Sequence, residues 1–174
     1  MKYLVKIFVI TFLLFSITPV KAEQKILFID LKKVLNESKP GKKAQDYLQS
    51  TFKGNAEKFK KIEQDLKKEE GELIGKKKII SKEEYKKMSE ELRNKVLKYQ
   101  KERRESLDKI AKQRASAKGQ LIEAMLPILD SYMKENDISI ILNKKDVLRA
   151  HNDYNITDEI IEQLNKKLPS IDLK

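Results

Sequence analysis

Apolar positions recur every seven residues through the middle of this chain, and a second set falls between them. Phe52, Phe59, Leu66 and Leu73 form one series. Leu48, Asn55, Ile62 and Glu69 fill the alternate positions in steps of three and four. This is the seam of a helix packed lengthwise on another helix, with polar residues at two seam positions that either set the register or mark loose packing. The pattern predicts a helix from Lys42 that weakens at Gly71 and Gly75. Ser81-Lys82-Glu83-Glu84 has the form of a capping box and opens a second helix. Tyr85, Met88, Leu92, Val96, Tyr99, Leu107, Ile110, Ala117, Leu121, Ala124, Ile128 and Tyr132 give that helix one drifting stripe. No breaker interrupts it before Pro127, which is expected to kink or divide it. The short link makes the two helices antiparallel, and about 35 residues at 1.5 Å each give arms of about 50 Å.

The flanking segments read differently. Lys25 to Asp30 is a short run of β-branched and aromatic residues, hence a strand, and Leu31 to Asn36 suits a short helix. Ser38-Lys39-Pro40-Gly41 is a cluster of breakers. Asp137 to Leu142 predicts a second strand and Asp146 to Ala150 a third. Thr157 is expected to cap a last helix from Asp158 to about Leu168, stopped by Pro169. The fold class is therefore α+β and mostly helical. Residues 23–41 and 119–174 form a small β body, and residues 42–118 form a long antiparallel helical-hairpin arm. So small a body buries little, and its sheet has edges that need cover. The chain is expected to oligomerise through its strands and the lower part of the second helix, by way of Ile26, Phe28, Leu121, Ile128, Ile138, Ile140 and Leu142.

The first 22 residues stand apart from this pattern. Lys2 and Lys6 precede an apolar stretch from Ile7 to Ile17, and Pro19 and Val20-Lys21-Ala22 follow. A positive start, a short apolar run and a small-residue cleavage site make a secretory signal peptide cut after Ala22. The run is shorter than the roughly 20 residues that span a bilayer. Export places the mature chain in the periplasm of a bacterium.

Charge then changes the picture of the arm. After the leader, residues 23–75 carry 12 basic and 10 acidic groups, residues 76–118 carry 16 and 7, and residues 119–174 carry 7 and 10. The basic excess sits in one central stretch, where it attracts acidic partners. Export argues against nucleic acid, leaving acidic polypeptides and anionic lipid. Lys76, Lys77, Lys78, Arg93, Arg103 and Arg104 are the candidate contacts, although the lysine run also reads as a solvated helix tip.

Catalytic and cofactor chemistry finds no footing. The chain has no Cys and one His, which excludes thiolate metal sites, cysteine catalysis and a histidine relay. Gly71 to Lys77 imitates a phosphate loop but has one residue too few between glycines and lacks the closing Ser or Thr. Glu69, Glu70 and Glu72 read as solvated helix charge rather than as a cation site, and His151 as a solvated loop residue. No enzyme, cofactor or metal is expected. Two function classes remain: a chaperone that holds its clients between arms, and a structural coiled-coil spacer with a fixed partner.

Particular segments resemble the Skp (OmpH) family of periplasmic chaperones. Asp30, Val34-Leu35-Asn36-Glu37-Ser38 and Gly41-Lys42-Lys43-Ala44 are similar to the family's opening. Ile140-Ile141-Leu142-Asn143-Lys144 with Val147-Leu148 resembles its strand pair, and Asn155 to Ile161 with Leu164-Asn165 its closing helix. The resemblance implies a homotrimer with helical arms around a cavity. It implies an ATP-independent holdase for unfolded outer-membrane proteins, with affinity for lipopolysaccharide.

Overall fold

The computed structural model describes residues 24–173; the leader and its cleavage point lie outside them. Strand β1 (Lys25–Ile29) is followed by helix α1 (Leu31–Glu37), helix α2 (Lys39–Lys76), helix α3 (Lys82–Glu135), strand β2 (Ile138–Asn143) and helix α4 (Thr157–Lys167). The two strands pair in parallel, in the register Ile26–Ile140, Leu27–Ile141, Phe28–Leu142 and Ile29–Asn143. Parallel neighbours need a crossover between them. Here the crossover is the entire hairpin arm, so the arm leaves the body and returns to it.

Local chemistry sets each joint. Asp30 caps α1, its carboxylate accepting from the Lys33 backbone N–H at 3.0 Å. That bond, with the Lys144 ammonium at 3.2 Å, holds the Asp30 carboxyl below its ordinary range. The predicted breaker cluster is a tight helix-to-helix joint, and α2 starts at Lys39 rather than at Lys42. Buried Ser38 ends α1 and caps α2, accepting from the Gly41 N–H, while Pro40 occupies the first turn where no N–H is needed. A Cβ on Gly41 would lie 2.1 Å from the Leu35 carbonyl oxygen, so the close approach of the two helices requires glycine there. At the tip, the Ser81 hydroxyl accepts from the Glu84 N–H at 3.1 Å, as the capping box predicts.

Gly71 and Gly75 lie within α2, which runs 38 residues. Several expectations are corrected. Pro127 does not divide α3, which continues for 54 residues. It lies on an exposed side, where the carbonyl that loses its helical partner can be hydrated. The third strand does not form: Lys144–Asp146 is a 3-10 turn, Leu148 points fully into solvent, and the sheet has two strands among the described residues. In its place, Asn155 makes an isolated bridge with Phe28, and the Ile156 N–H donates to the Phe28 carbonyl at 3.1 Å. Thr157 does not cap α4. It is the first helical residue, with its N–H satisfied by the Asn155 side chain at 3.1 Å. The Thr157 hydroxyl instead accepts the Asp30 N–H at 2.8 Å, which ties the end of β1 to the start of α4.

The core lies where these elements meet. Leu27 and Ile29 from β1 and Val34 from α1 pack with Leu121, Met125 and Ile128 from α3. Ile138 from β2 completes this layer with Ile156, Ile160 and Leu164. The lower half of α3 is thus the floor of the body, and its upper half is one limb of the arm.

Candidate functional site

Along the arm, helices α2 and α3 meet through the seam the heptads predict, with one shift. Leu48, Phe59 and Leu73 are buried in it, but Phe52 is half exposed. On α3 the inward positions step from Tyr99 to Ser106, Ile110, Gln113 and Ala117, so Leu107 falls one residue outside and is also half exposed. Cross-links along the seam are specific. Phe59 and Tyr99 stack edge to face at 6.0 Å, Asn55 pairs with Ser106, and Lys95 bonds Glu69 at 2.7 Å.

Beside the seam, one flank of the hairpin carries a row of hollows. Nearest the body, a hollow of about 530 Å³ is lined by Leu48, Phe52, Arg114, Lys118 and Leu121, among others. The next, of about 200 Å³, takes in Phe52, Lys60, Glu63, Tyr99, Arg103 and Leu107. The outermost, again about 530 Å³, includes Glu63, Lys67, Ile74, Arg93, Leu97 and Tyr99. Shared Phe52, Glu63 and Tyr99 set the three end to end. Phe52, Leu107, Leu97 and Ile74 expose 51%, 49%, 53% and 62% of their surface here. Large apolar side chains left in water along one line, rather than scattered, mark a contact surface. Cationic groups border every hollow. Glu63, an acid of the row, is paired with Lys67 at 2.8 Å, which holds its carboxyl below the ordinary range.

The basic residues singled out in the sequence divide between two places. Arg93 and Arg103 line the row of hollows. Lys76 ends α2, and Lys77 and Lys78 form the exposed tip beside the largely exposed Ile79. Arg104 is exposed and lines none of the three hollows. Periodicity alone puts Phe52 and Leu107 in the seam and gives no sign of Leu97 and Ile74 as surface contacts. The unbroken three-and-four spacing through Ser106 is the signal that Leu107 lies off the seam.

The second surface is the outward face of the sheet. Pairing Ile26 with Ile140 and Phe28 with Leu142 puts all four on the face opposite the core residues Leu27 and Ile29. Phe28 is covered within the chain, whereas Ile26, Ile140 and Leu142 are each more than 40% exposed. Leu121, Ile128 and Ile138 are buried in the chain's own core, so their apolar character is already accounted for in one copy.

Neither surface resembles a catalytic centre. No group of His, Asp and Glu among the described residues has the arrangement of a metal site. Glu69 is engaged by Lys95, and His151 lies 2.9 Å from Asp153 in an exposed pair. No described helix is long and apolar enough to cross a membrane.

Comparison with known proteins agrees with this architecture. Residues 25–164 match the family described as outer membrane protein (OmpH-like). The fold superposes on a crystal structure described as an OmpH-like outer membrane chaperone from Caulobacter crescentus CB15, with a TM-score of 0.78 and 15% identity. The match covers 86% of this chain and 88% of that one. No curated protein matches the chain. The two-stranded body, the long returning arm and the family match over residues 25–164 together make this chain a member of the OmpH-like family.

Proposed function

We propose that the protein is an ATP-independent holdase chaperone of the periplasm, exported by a leader cut after Ala22, that shields unfolded outer-membrane proteins. The observation that carries this reading is the arm flank. Half-exposed Phe52, Leu107, Leu97 and Ile74 alternate along it with Arg103, Arg93, Lys60 and Lys67. Unfolded β-barrel strands alternate apolar and polar residues. A surface of shallow apolar hollows with cationic borders suits such strands without reading their sequence. Lysine and arginine stems add apolar contact beneath their charges. Several arms acting together gain avidity from weak contacts, so binding and release need no nucleotide.

On this reading residues 42–118 are the client-holding arm, and residues 23–41 and 119–174 are the assembly body. The exposed trio Ile26, Ile140 and Leu142 is the apolar patch through which three copies join. The cationic tip at Lys76, Lys77 and Lys78 suits the phosphates of lipopolysaccharide or another anionic membrane surface. The test is direct. The mature chain, without ATP, should keep a urea-unfolded outer-membrane β-barrel protein from scattering light on dilution, and its mass alone should be three chains. Unchanged aggregation of the client would remove the holdase reading in favour of a structural spacer with a fixed partner.

A further inference from the structure

The C-terminal tail is held in a way that points to a second binding site, on a different part of the arm root. After α4, residues 169–173 turn back and lie along α2 and α3. Gln120 reads both backbone groups of one tail residue: its Nε2 donates to the Asp172 carbonyl at 2.7 Å, and its Oε1 accepts the Asp172 N–H at 3.1 Å. One heptad closer to the tip, Gln113 donates to the Leu173 carbonyl. Lys43 donates to the Pro169 carbonyl at 3.1 Å. These bonds all go to main chain, as a neighbouring strand's would, and so place no demand on sequence. Ile171 packs at the edge of the core.

Two further observations show that the tail is an incomplete fit. Gln113 is buried, yet its Oε1 has no hydrogen-bond partner among the described residues. An unpaired buried acceptor is costly, and the N–H groups of an extended segment laid along the strip suit it. Between tail and arm there is also a hollow of about 390 Å³, lined by Lys43, Ala44, Tyr47, Ser170, Ile171 and Leu173. The tail lies beyond the residues that match the family, 25–164.

We infer that the strip made by Lys43, Gln113 and Gln120 is a backbone-reading site for extended polypeptide, and that the tail is its built-in occupant. Its displacement by a segment of unfolded client rests on the holdase reading above. A tail that fills the strip nine-tenths of the time weakens a competitor about tenfold, because apparent affinity scales with the vacant fraction.

Hydrogen exchange of the intact mature chain tests the displacement. Adding a saturating urea-unfolded outer-membrane β-barrel protein should speed exchange in residues 169–173 several-fold. A chain ending at Leu168, checked for folding by circular dichroism, should bind that client up to about tenfold more tightly. Gln120→Leu in the full chain should free the tail without that gain, since tail and client share the amide. Independently of any client, a synthetic peptide of residues 168–174 at millimolar concentration should restore protection of residues 113–120 in the shortened chain. Failure of the peptide to do so means that the strip is no site. Client capture with unchanged tail exchange and unchanged affinity of the shortened chain makes the tail a fixed splint and overturns the inference. Absence of capture in every variant, with peptide rebinding intact, removes the holdase reading and the displacement but leaves the backbone-reading site.

Discussion

Asn55 and Ser106, 51 residues apart in sequence, meet in the seam of the arm, where the Asn55 amide donates to the Ser106 hydroxyl at 2.8 Å. A polar pair there fixes which turn of α2 faces which turn of α3, at some expense of stability. Asn55→Ala should destabilise the arm by about 1 kcal/mol, the usual loss for one hydrogen bond with its partner left part-buried. Asn55→Leu combined with Ser106→Ala should stabilise it, because both polar groups leave together. Urea midpoints of the three proteins check the order.

The glycines of α2 should respond in opposite directions. Gly41→Ala drives a Cβ into the Leu35 backbone, which cannot swing aside as a side chain can. A loss at the upper end of the about 1–3 kcal/mol seen for overpacking is expected. Gly71 and Gly75 meet nothing within 4 Å of an added Cβ. Alanine at either should stabilise the helix by about 0.5–1 kcal/mol. It should also slow hydrogen exchange between Glu69 and Lys87, the distal stretch expected to open most easily. Uniform protection along the wild-type hairpin would contradict that expectation.

Asp30 links stability to pH. Its folded-state pKa is depressed, first by the Lys33 N–H and then by Lys144. A depressed carboxyl stabilises the fold above its unfolded value of about 3.9 and loses that contribution as pH falls through the lower folded value. The stability gap between wild type and Asp30→Asn should be full above about pH 5 and close progressively in more acid solution. Thermal melts at a series of pH values measure it. A gap that widened toward acid would contradict the assignment.

If three copies join through the outward sheet face, two isoleucines should separate folding from assembly. Ile128 is 3% exposed in the core, and Ile140 is 42% exposed on the outward sheet face. Ile128→Asp should unfold the body, losing at least the roughly 2–5 kcal/mol of an Ile truncation plus the burial of a charge. Ile140→Asp should leave helical circular dichroism intact and lower the mass in light scattering to that of one chain. An intact trimer of the Ile140 variant would place the interface elsewhere.

Client capture should depend on both components of the arm flank. Phe52→Ser with Leu107→Ser removes half-exposed apolar surface, so the fold's stability should change little. Affinity for an unfolded β-barrel protein should fall about tenfold or more, since each Å² of apolar surface that the client no longer covers is worth about 25 cal/mol. Reversing Lys76, Lys77, Arg93, Arg103 and Arg104 to Glu should slow capture at low salt, and that difference should shrink as salt screens charge beyond about 10 Å at 0.1 M. Stopped-flow capture at two ionic strengths distinguishes the two. Equal rates for the reversed and wild-type proteins at low salt would deny the basic groups an electrostatic role.

Local periodicity and capping chemistry are legible in the order of residues alone. The heptads from Leu48 to Leu73, the Ser81 capping box and the apolar runs at Leu27 and Ile140 suffice for an arm of two antiparallel helices on a small β body. Helix and strand periods are properties of neighbouring residues, and they survive whatever the rest of the chain does. Packing in three dimensions settles the points where distant segments compete for the same group. Thr157 reads as a cap because its hydroxyl suits one, but Asp30, 127 residues earlier, donates its N–H to that hydroxyl, and the Asn155 side chain accepts the Thr157 N–H. Leu148 reads as strand, yet no partner edge reaches it, and the third rung beside Phe28 comes from Asn155. Pro127 reads as a division, but an exposed position on a packed helix tolerates the missing N–H. The arm flank itself emerges only from the pairing of α2 with α3. Whether Phe52 and Leu107 are core or surface depends on the rotation of one helix against the other, and that rotation is fixed by contacts such as Asn55 with Ser106, which no single helix contains.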